Sequence, residues 1–223
     1  MKYKQYQKYK DSGVEWIGEI PEHWDIYKIS HLSQVNSGGT PSTSKEEFWN
    51  NGNIPWVNSG EVQNCIIETP SDYITELGLE NSAAALFPKN TVVIALTGAT
   101  AANVGILDFE TSTNQSVTGI FPSQKLVPNF LFFQLISMRE EILKFSIGSA
   151  QPHINQQIIK SLKICLPPFD DQEKIYDFLQ KQTAQFDDLI SKSQSQIKLL
   201  QEKRQALIIS AVTGKIDVRN GIA

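Results

Sequence analysis

The sequence predicts an α+β protein, with one globular domain followed by a single long C-terminal α-helix. Two β-rich runs bounded by Gly and Asn, residues 91–96 and 104–107, are typical of strands. Apolar residues at helical spacing recur over residues 129–145, which predicts a helix in the same domain. Neither Pro nor Gly occurs from Phe169 to Thr213, so an unbroken helix is expected there.

The length, charge and cysteine content of the chain exclude several classes of protein. A chain of 223 residues, 40% of them hydrophobic, can form one good core and a smaller appendage. The net charge is −4, and residues 29–169 carry seven Lys and Arg against eleven Asp and Glu, so the basic excess of a protein that holds a polyanion by charge alone is missing. Cys65 and Cys165 suggest reduced thiols rather than a disulfide framework. With no signal-peptide pattern and no long apolar run, we expect a cytoplasmic protein.

The smaller elements follow in chain order. Two Trp and two Ile between Gly and Pro in residues 13–24 predict an extended, docked lead-in. After the strands and the helix over 129–145, the pattern predicts a short helix at 154–161 and a strand at 162–166. The loops between these elements are polar. The predicted domains are residues 1–168 with the lead-in, 169–214 as the long helix, and 215–223 as a tail.

The long helix is expected to begin with Asp170 as N-cap and Glu173 as its reciprocal partner, and to stop at Gly214. Its apolar residues recur every eleven positions, near 3.67 residues per turn, so they form a nearly straight stripe. Polar residues interrupt the stripe, which favours register-specific pairing with another helix; packing against its own domain is the alternative. The predicted pairing residues are Ile175, Phe178, Leu179, Phe186, Leu189, Ile190, Ile197, Leu200, Leu207 and Ile208.

Catalytic patterns are missing from the sequence. It contains no phosphate-binding Gly-rich motif, no Gly-x-Ser-x-Gly and no metal-ligand spacing among its three His and two Cys. Residues 166–169 (LPPF) resemble the Asn-Pro-Pro-aromatic motif of amino-methyltransferases, but Leu replaces the Asn, so a rigid corner is the favoured interpretation. The sequence therefore predicts no enzyme activity, no cofactor and no metal.

Five polar loops punctuated by Gly remain as candidate binding elements. Short hydroxyl and amide side chains of this kind can contact base edges or phosphate oxygens. Ordinary turn chemistry is the alternative explanation for any one loop. The candidate DNA-binding residues are Thr40, Ser42, Ser44, Lys45, Asn58, Ser59, Thr97, Thr100, Asn103, Asn114, Gln115, Ser149, Gln151, His153 and Asn155.

Several segments together resemble the specificity subunits of type I restriction–modification systems. Residues 13–24 (GVEWIGEIPEHW) look like the opening of a target-recognition domain in that family. The helical part is similar to the family's conserved region over nearly its whole length. The matching strings are LPP at 166–168, QEKI at 172–175, FDDLI at 186–190, LLQEKRQALI at 199–208 and AVTGKID at 211–217.

The resemblance implies a non-catalytic DNA reader that assembles with methyltransferase subunits and, in the nuclease form, with restriction subunits. Each recognition domain would read one half of a split site, and the helical regions would set the distance between the halves. The usual subunit has two recognition domains and two helical regions, whereas this chain has one of each. Either it is part of a longer reading frame, or two copies pair antiparallel through the long helix and read an interrupted palindrome. A coiled-coil interaction protein that does not bind DNA is the alternative from another class.

Overall fold

The computed structural model describes residues 4–146 and 153–219. The chain divides into two compact units, Met1–Tyr176 and Asp177–Ala223. The first unit contains the sheets and the shorter helices, and the second contains most of the long helix and the segment after it. The predicted α+β class with a long C-terminal helix is confirmed.

Strands are short throughout the first unit. In chain order they are β1 (Tyr9–Asp11), β2 (Glu19–Pro21), β3 (Asp25–Lys28), β4 (Val35–Ser37), β5 (Ile54–Val57), β6 (Cys65–Ile67), β7 (Asp72–Ile74), β8 (Leu86–Phe87), β9 (Val92–Ala95), β10 (Val104–Leu107), β11 (Thr111–Thr113), β12 (Val117–Ile120) and β13 (Lys163–Leu166). The helices are α1 (Ile29–Leu32), α2 (Glu76–Glu80), α3 (Pro128–Ser137), α4 (Arg139–Lys144), α5 (Gln156–Ser161) and α6 (Phe169–Val212). Single 3₁₀ turns occur at Glu46–Phe48, Ser59–Glu61 and Gly98–Thr100.

Two larger sheets form the centre of the domain. A five-stranded sheet has the order β4-β12-β9-β10-β6, and a four-stranded sheet has the order β7-β5-β11-β8. Most neighbours are antiparallel, but β10 and β6 run parallel, and so do β11 and β5. The chain passes directly from the four-stranded sheet to the five-stranded sheet between β11 and β12.

Strand β9 shows why the five-stranded sheet is central. Val92 and Ile94 belong to a core shared with α1, α3, α4 and α5. Val93 and Ala95 belong to a second core, together with Val57 of the other sheet. Since successive side chains of a strand point to opposite faces, β9 is buried on both faces, and its sequence is therefore a continuous apolar run rather than an alternating one.

The lead-in is extended only in part: β2 is a strand, but the Ile17 and Gly18 N–H groups both donate to the Val14 carbonyl at 3.0 Å and close a turn. β1 pairs antiparallel with β2, and the segment between them turns through Gly13 and Gly18, both at positive φ. β3 pairs antiparallel with β13, with Lys28 opposite Lys163. The start of the chain is thus tied to the last strand before the long helix.

Two predicted helices have different limits in the structure. The helix expected over 129–145 is divided into α3 and α4 at Met138, a buried residue with φ −89° and ψ 0°. Its N–H contacts the carbonyl oxygens of Gln134 and Leu135, which tightens the last turn of α3. The helix expected from residue 154 begins at Gln156, because the Asn155 side chain accepts a hydrogen bond of 2.9 Å from the Ile158 N–H and caps it.

The start of α6 also differs from the prediction. The helix begins at Phe169, so Asp170 lies within its first turn rather than at the N-cap. The Pro168 carbonyl accepts the N–H groups of Asp171 and Gln172. Gln172 is buried, and Ile175 packs against the main core. The first two turns of α6 therefore belong to the first compact unit, which extends to Tyr176 rather than ending at residue 168.

The end of α6 is confirmed. Gly214 has φ +71°, and the N–H groups of Lys215 and Ile216 both turn back to the Ser210 carbonyl. A residue in this left-handed conformation is the usual helix stop, and glycine adopts it without a Cβ penalty. Among the helices of the described chain, none carries an apolar run that could cross a bilayer.

Candidate nucleic-acid interface

One end of the five-stranded sheet gathers the predicted loops. β12 pairs with β4 through Thr118 and Ser37, and with β9 through Val117 and Ala95. β9 pairs in turn with β10 through Ile94 and Val104. Since these pairs are antiparallel, the segments that follow β4 and β9 and those that precede β12 and β10 emerge at the same end of the sheet.

The four-stranded sheet contributes a further loop at the same place. β5 and β11 are parallel, so Asn58 and Asn114 directly follow neighbouring strand ends, and the Asn114 N–H donates to the Val57 carbonyl at 3.1 Å. The last loop reaches this end through the Ile154 N–H, which donates to the Leu96 carbonyl at 2.8 Å. The structure thus brings the described parts of all five predicted loops together.

The loop after β4 approaches its neighbours closely. The Gly38 N–H donates to the Val117 carbonyl at 3.1 Å, and the Gly39 N–H donates to the Thr113 carbonyl at 2.8 Å. The buried Trp56 indole donates to the Gly39 carbonyl at 3.2 Å. A Cβ atom on Gly39 would lie 2.4 Å from the Ala83 carbonyl carbon, so only glycine fits here without displacing backbone.

Several candidate side chains have local structural partners. Asn58 caps the 3₁₀ turn by accepting from the Gly60 N–H at 2.7 Å, and Glu61 completes a capping box. Asn114 accepts from the Ser116 N–H at 3.1 Å. Thr100 donates to the Thr97 carbonyl at 3.5 Å. Together with the cap at Asn155, these contacts are the turn chemistry that the sequence left open as an alternative.

Other candidates present polar groups at the surface. The Thr40 hydroxyl donates to the Gln115 side-chain carbonyl at 2.5 Å. The hydroxyls of Ser42 and Ser44, both exposed, are 2.9 Å apart. The Lys45 ammonium lies 4.7 Å from the centre of the Phe48 ring. The remaining described candidates are placed as follows: Ser59, Thr97 and Asn103 are half-buried, and His153, bridged to Thr97, is exposed. Ser149 and Gln151 lie outside the described residues.

An arginine and two tryptophans that no sequence pattern singled out also lie at this end of the sheet. The Arg139 Nε atom donates to the Asn103 side-chain oxygen at 3.4 Å, which places a guanidinium beside the loop after β9. Trp49 donates to the Ser42 carbonyl at 3.1 Å and packs edge-on against Trp56, with ring centres 5.2 Å apart. Arg139 lies 36 positions from Asn103, so no local pattern in the sequence relates them.

Titratable groups with displaced pKa values lie in other segments. Burial raises the pKa of the Cys165 thiol in β13. Hydrogen bonds from Arg219 lower the pKa of Asp217 in the segment after α6. Within residues 4–146 and 153–219, no group of three or more His, Cys, Asp and Glu side chains is placed to hold a metal ion.

The stripe on α6 is exposed over most of its length. Ile175 instead packs against the domain core, and Leu179 is half-buried. Phe178 is 45% exposed. The exposed fractions of the remaining stripe residues are 60% for Phe186, 58% for Leu189, 54% for Ile190, 54% for Ile197, 64% for Leu200, 61% for Leu207 and 39% for Ile208. A long exposed row of apolar side chains, even one interrupted by polar residues, is typical of a helix that has a partner.

Comparisons with known proteins agree on one family. The family model described as the type I restriction modification DNA specificity domain matches residues 21–199. The specificity subunit of the type I restriction enzyme MjaIX from Methanocaldococcus jannaschii is 31% identical over 191 residues, which cover 83% of this chain and 43% of that protein. The EcoR124I/EcoR124II specificity subunit from Escherichia coli is 27% identical over 187 residues, which cover 81% and 45%. The chain spans about half the length of the curated relatives it matches.

Solved structures share the fold. A chain from a study of complex assembly and conformational transition in the type I restriction–modification system matches with a TM-score of 0.72 at 16% identity, covering 91% of this chain and 48% of that one. The HsdS subunit from Thermoanaerobacter tengcongensis matches with a TM-score of 0.60 at 16% identity, covering 79% and 40%. At these identities the likeness establishes the fold.

Proposed function

Because the chain belongs to the family of type I restriction–modification DNA specificity domains, we propose that it is a non-catalytic recognition subunit that reads one half of a split DNA site. The observation that carries this proposal is the convergence of the described parts of five polar loops at one end of the five-stranded sheet. The relatives that it matches are specificity subunits of type I restriction enzymes. We also propose that the protein is located in the cytoplasm.

The described parts of the five loops, within residues 37–45, 58–61, 97–103, 113–116 and 153–155, form a surface that we call the loop surface. This surface has the chemistry that base reading requires. Its hydroxyl and amide side chains can donate to and accept from base edges in the major groove, where each base pair presents its own pattern of donors and acceptors. Four of the loops follow directly from strands, and backbone hydrogen bonds join the described parts of the loops to the strand ends and to one another. Side chains on such a rigid support lose little freedom on binding, which favours selective contacts.

The acidic domain needs a partner that neutralises DNA phosphates. Seven Lys and Arg against eleven Asp and Glu over residues 29–169 cannot supply most of the charge for tight binding. We therefore include methyltransferase subunits, and restriction subunits in the nuclease form, as the partners that hold the duplex. The loops of this chain would then select the DNA sequence, and the partner subunits would bind the DNA phosphate backbone.

The exposed stripe on α6 favours pairing with a second copy of the chain. The charges along the helix support an antiparallel arrangement. Residues 169–190 carry six acidic and two basic side chains, whereas residues 191–212 carry one acidic and four basic side chains. Antiparallel pairing would place each acidic half beside a basic half, and parallel pairing would place like charges together.

Two-fold pairing has a consequence for the DNA site. Two identical recognition domains related by a two-fold axis read the same half-site in opposite directions, so the complete site is an interrupted palindrome. The length of the paired helices would then set the number of base pairs between the halves.

A coiled-coil interaction module that does not bind DNA is the second candidate, and the acidic charge of the domain favours it. The two candidates differ in what the assembled complex does. Only a recognition subunit would make methylation depend on a defined DNA sequence.

The deciding experiment uses the full chain purified with the methyltransferase subunit of its own system. The complex is incubated with plasmid DNA and a labelled methyl donor, and the modified positions are mapped. We expect a stable complex that methylates one split sequence and little else. Failure to form a complex, or methylation without sequence dependence, would contradict the proposed function.

A further inference from the structure

Gln115 occupies the tip of the turn that joins the two sheets. The turn is closed by the Val117 N–H, which donates to the Asn114 carbonyl at 3.2 Å, and by the Asn114 side chain, which accepts from the Ser116 N–H at 3.1 Å. Gln115 is exposed, and β11 ends at Thr113 and β12 begins at Val117, two residues away on either side. Its side chain therefore projects from the middle of the loop surface.

Backbone hydrogen bonds hold this turn from three sides. The Asn114 N–H donates to the carbonyl of Val57, the last residue of β5, and the N–H of Leu96, which follows β9, donates to the Ser116 carbonyl. The N–H groups of Gly38 and Gly39 donate to the carbonyls at the two ends of the turn, those of Val117 and Thr113. A side chain mounted on this turn is placed by the fold itself rather than by a mobile loop.

Thr40 fixes the orientation of the Gln115 amide. The Thr40 hydroxyl donates to the side-chain oxygen of Gln115 at 2.5 Å, across 75 positions of sequence. An oxygen that accepts this bond is distinguished from the NH₂ group, so the amide does not present both orientations equally. The oxygen retains a second lone pair, and both N–H donors of the amide are outside this contact.

We propose that Gln115 is a specificity-determining residue that reads an adenine in the major groove, and that Thr40 is its positioning residue. This inference rests on the proposed function. Gln forms two hydrogen bonds with adenine, because its NH₂ group donates to N7 and its oxygen accepts from the N6 amino group. Guanine offers acceptors at both N7 and O6, so an amide with a fixed oxygen meets one repulsive contact there.

The test measures base preference with the complex of the full chain and its methyltransferase subunit. The complex modifies a pool of duplex DNA with a randomised segment, and the modified molecules are sequenced. We expect one position at which wild type prefers adenine over guanine by roughly tenfold to a hundredfold, as a bidentate contact implies. Gln115→Ala should abolish the preference at that position alone.

Variants of Thr40 distinguish the hydrogen bond that positions Gln115 from the packing of the Thr40 side chain. Thr40→Val removes the hydroxyl at nearly constant shape, and we expect the preference for adenine over guanine to fall to a few-fold. Thr40→Ser keeps the hydroxyl and should restore the preference. The matched control is Gln124→Ala, which removes an exposed glutamine from the turn beyond the other end of β12 and should leave every position unchanged.

Three outcomes would overturn the inference and leave the proposed function standing. If Gln115→Ala keeps the wild-type preferences at every position, Gln115 does not read a base. If it changes a position where wild type prefers another base, the assignment to adenine is wrong, and if Thr40→Val matches wild type, the positioning role is wrong. A wild-type complex that modifies the pool without any sequence preference would overturn the proposed function as well.

Discussion

The side-chain oxygen of Gln172 accepts a hydrogen bond of 2.9 Å from the backbone N–H of Val127. The NH₂ group of the same side chain donates to the carbonyls of Lys125 and Pro167, each at 3.0 Å. One buried amide thus joins the first turn of α6 to the segment that leads into α3 and to the corner after β13. This contact explains why the compact domain includes the start of the long helix.

Gln172→Leu should destabilise the domain. The change keeps an apolar side chain of similar length but leaves a buried N–H and two carbonyls without their partner, and each such loss costs roughly 1–3 kcal/mol. We expect the free energy of unfolding to fall by about 3 kcal/mol in chemical denaturation. Gln180→Leu, at an exposed position of the same helix, should change it by less than about 0.5 kcal/mol. Equal effects would show that the buried amide is not a stabilising contact.

Gly39→Ala should disturb the loop after β4. The added Cβ would lie 2.4 Å from the backbone of Ala83, and forcing an extra carbon into a packed site costs roughly 1–3 kcal/mol. The control is Gly60→Ala, whose Cβ would meet the tip of the Asn58 side chain at 2.8 Å. Thermal unfolding should show the larger loss for Gly39→Ala, and the reverse order would contradict the close packing of this loop.

Changing Leu189 and Leu200 together to Glu should convert dimers to monomers. Both side chains are exposed on the stripe, and a paired interface would bury four introduced carboxylates without partners. Light scattering measures the mass directly. Ser191 and Ser195, on the opposite face of the helix at 3.6 residues per turn, are the matched control because their change to Glu adds the same charge. A dimer that survives in the first variant would place the interface elsewhere.

The salt dependence of DNA binding should be shallow for the chain alone. Among the residues that the structure describes, Lys45 and Arg139 are the basic ones at the loop surface, so about two phosphate contacts per domain are expected. The slope of log K against log salt should then be about −2 per domain. Lys45→Gln should reduce it by about one. Fluorescence anisotropy over a salt series provides the slopes. A slope of about −6 or steeper per domain without partners would contradict the role given to the methyltransferase subunits.

The sequence predicted the features that depend on local pattern. β10 has the expected limits, β9 falls within its predicted run, and Gly214 ends α6 as expected, in the left-handed conformation. The strands follow from their runs of apolar residues. The long helix follows from the absence of Pro and Gly, and its end follows from the conformational freedom of glycine. Each of them is contained within a few neighbouring residues.

Features that depend on distant contacts were not predictable in this way. The burial of Gln172 and the pairing of Arg139 with Asn103 both need residues far apart in sequence. The same holds for the pair of Thr40 and Gln115, which were both candidates but had no recognisable relation before the sheets brought them together.

The most direct test of the account is a methylation map for the complex with its methyltransferase subunit, made with wild type and with Thr40 and Ser42 changed to Ala. Both residues lie in the loop after β4 at the end of the sheet where the five loops meet. We predict that the complex still forms while the methylated sequence is altered or lost. An unchanged sequence, after this change and equivalent changes in the other four loops, would contradict the claim that this surface reads DNA.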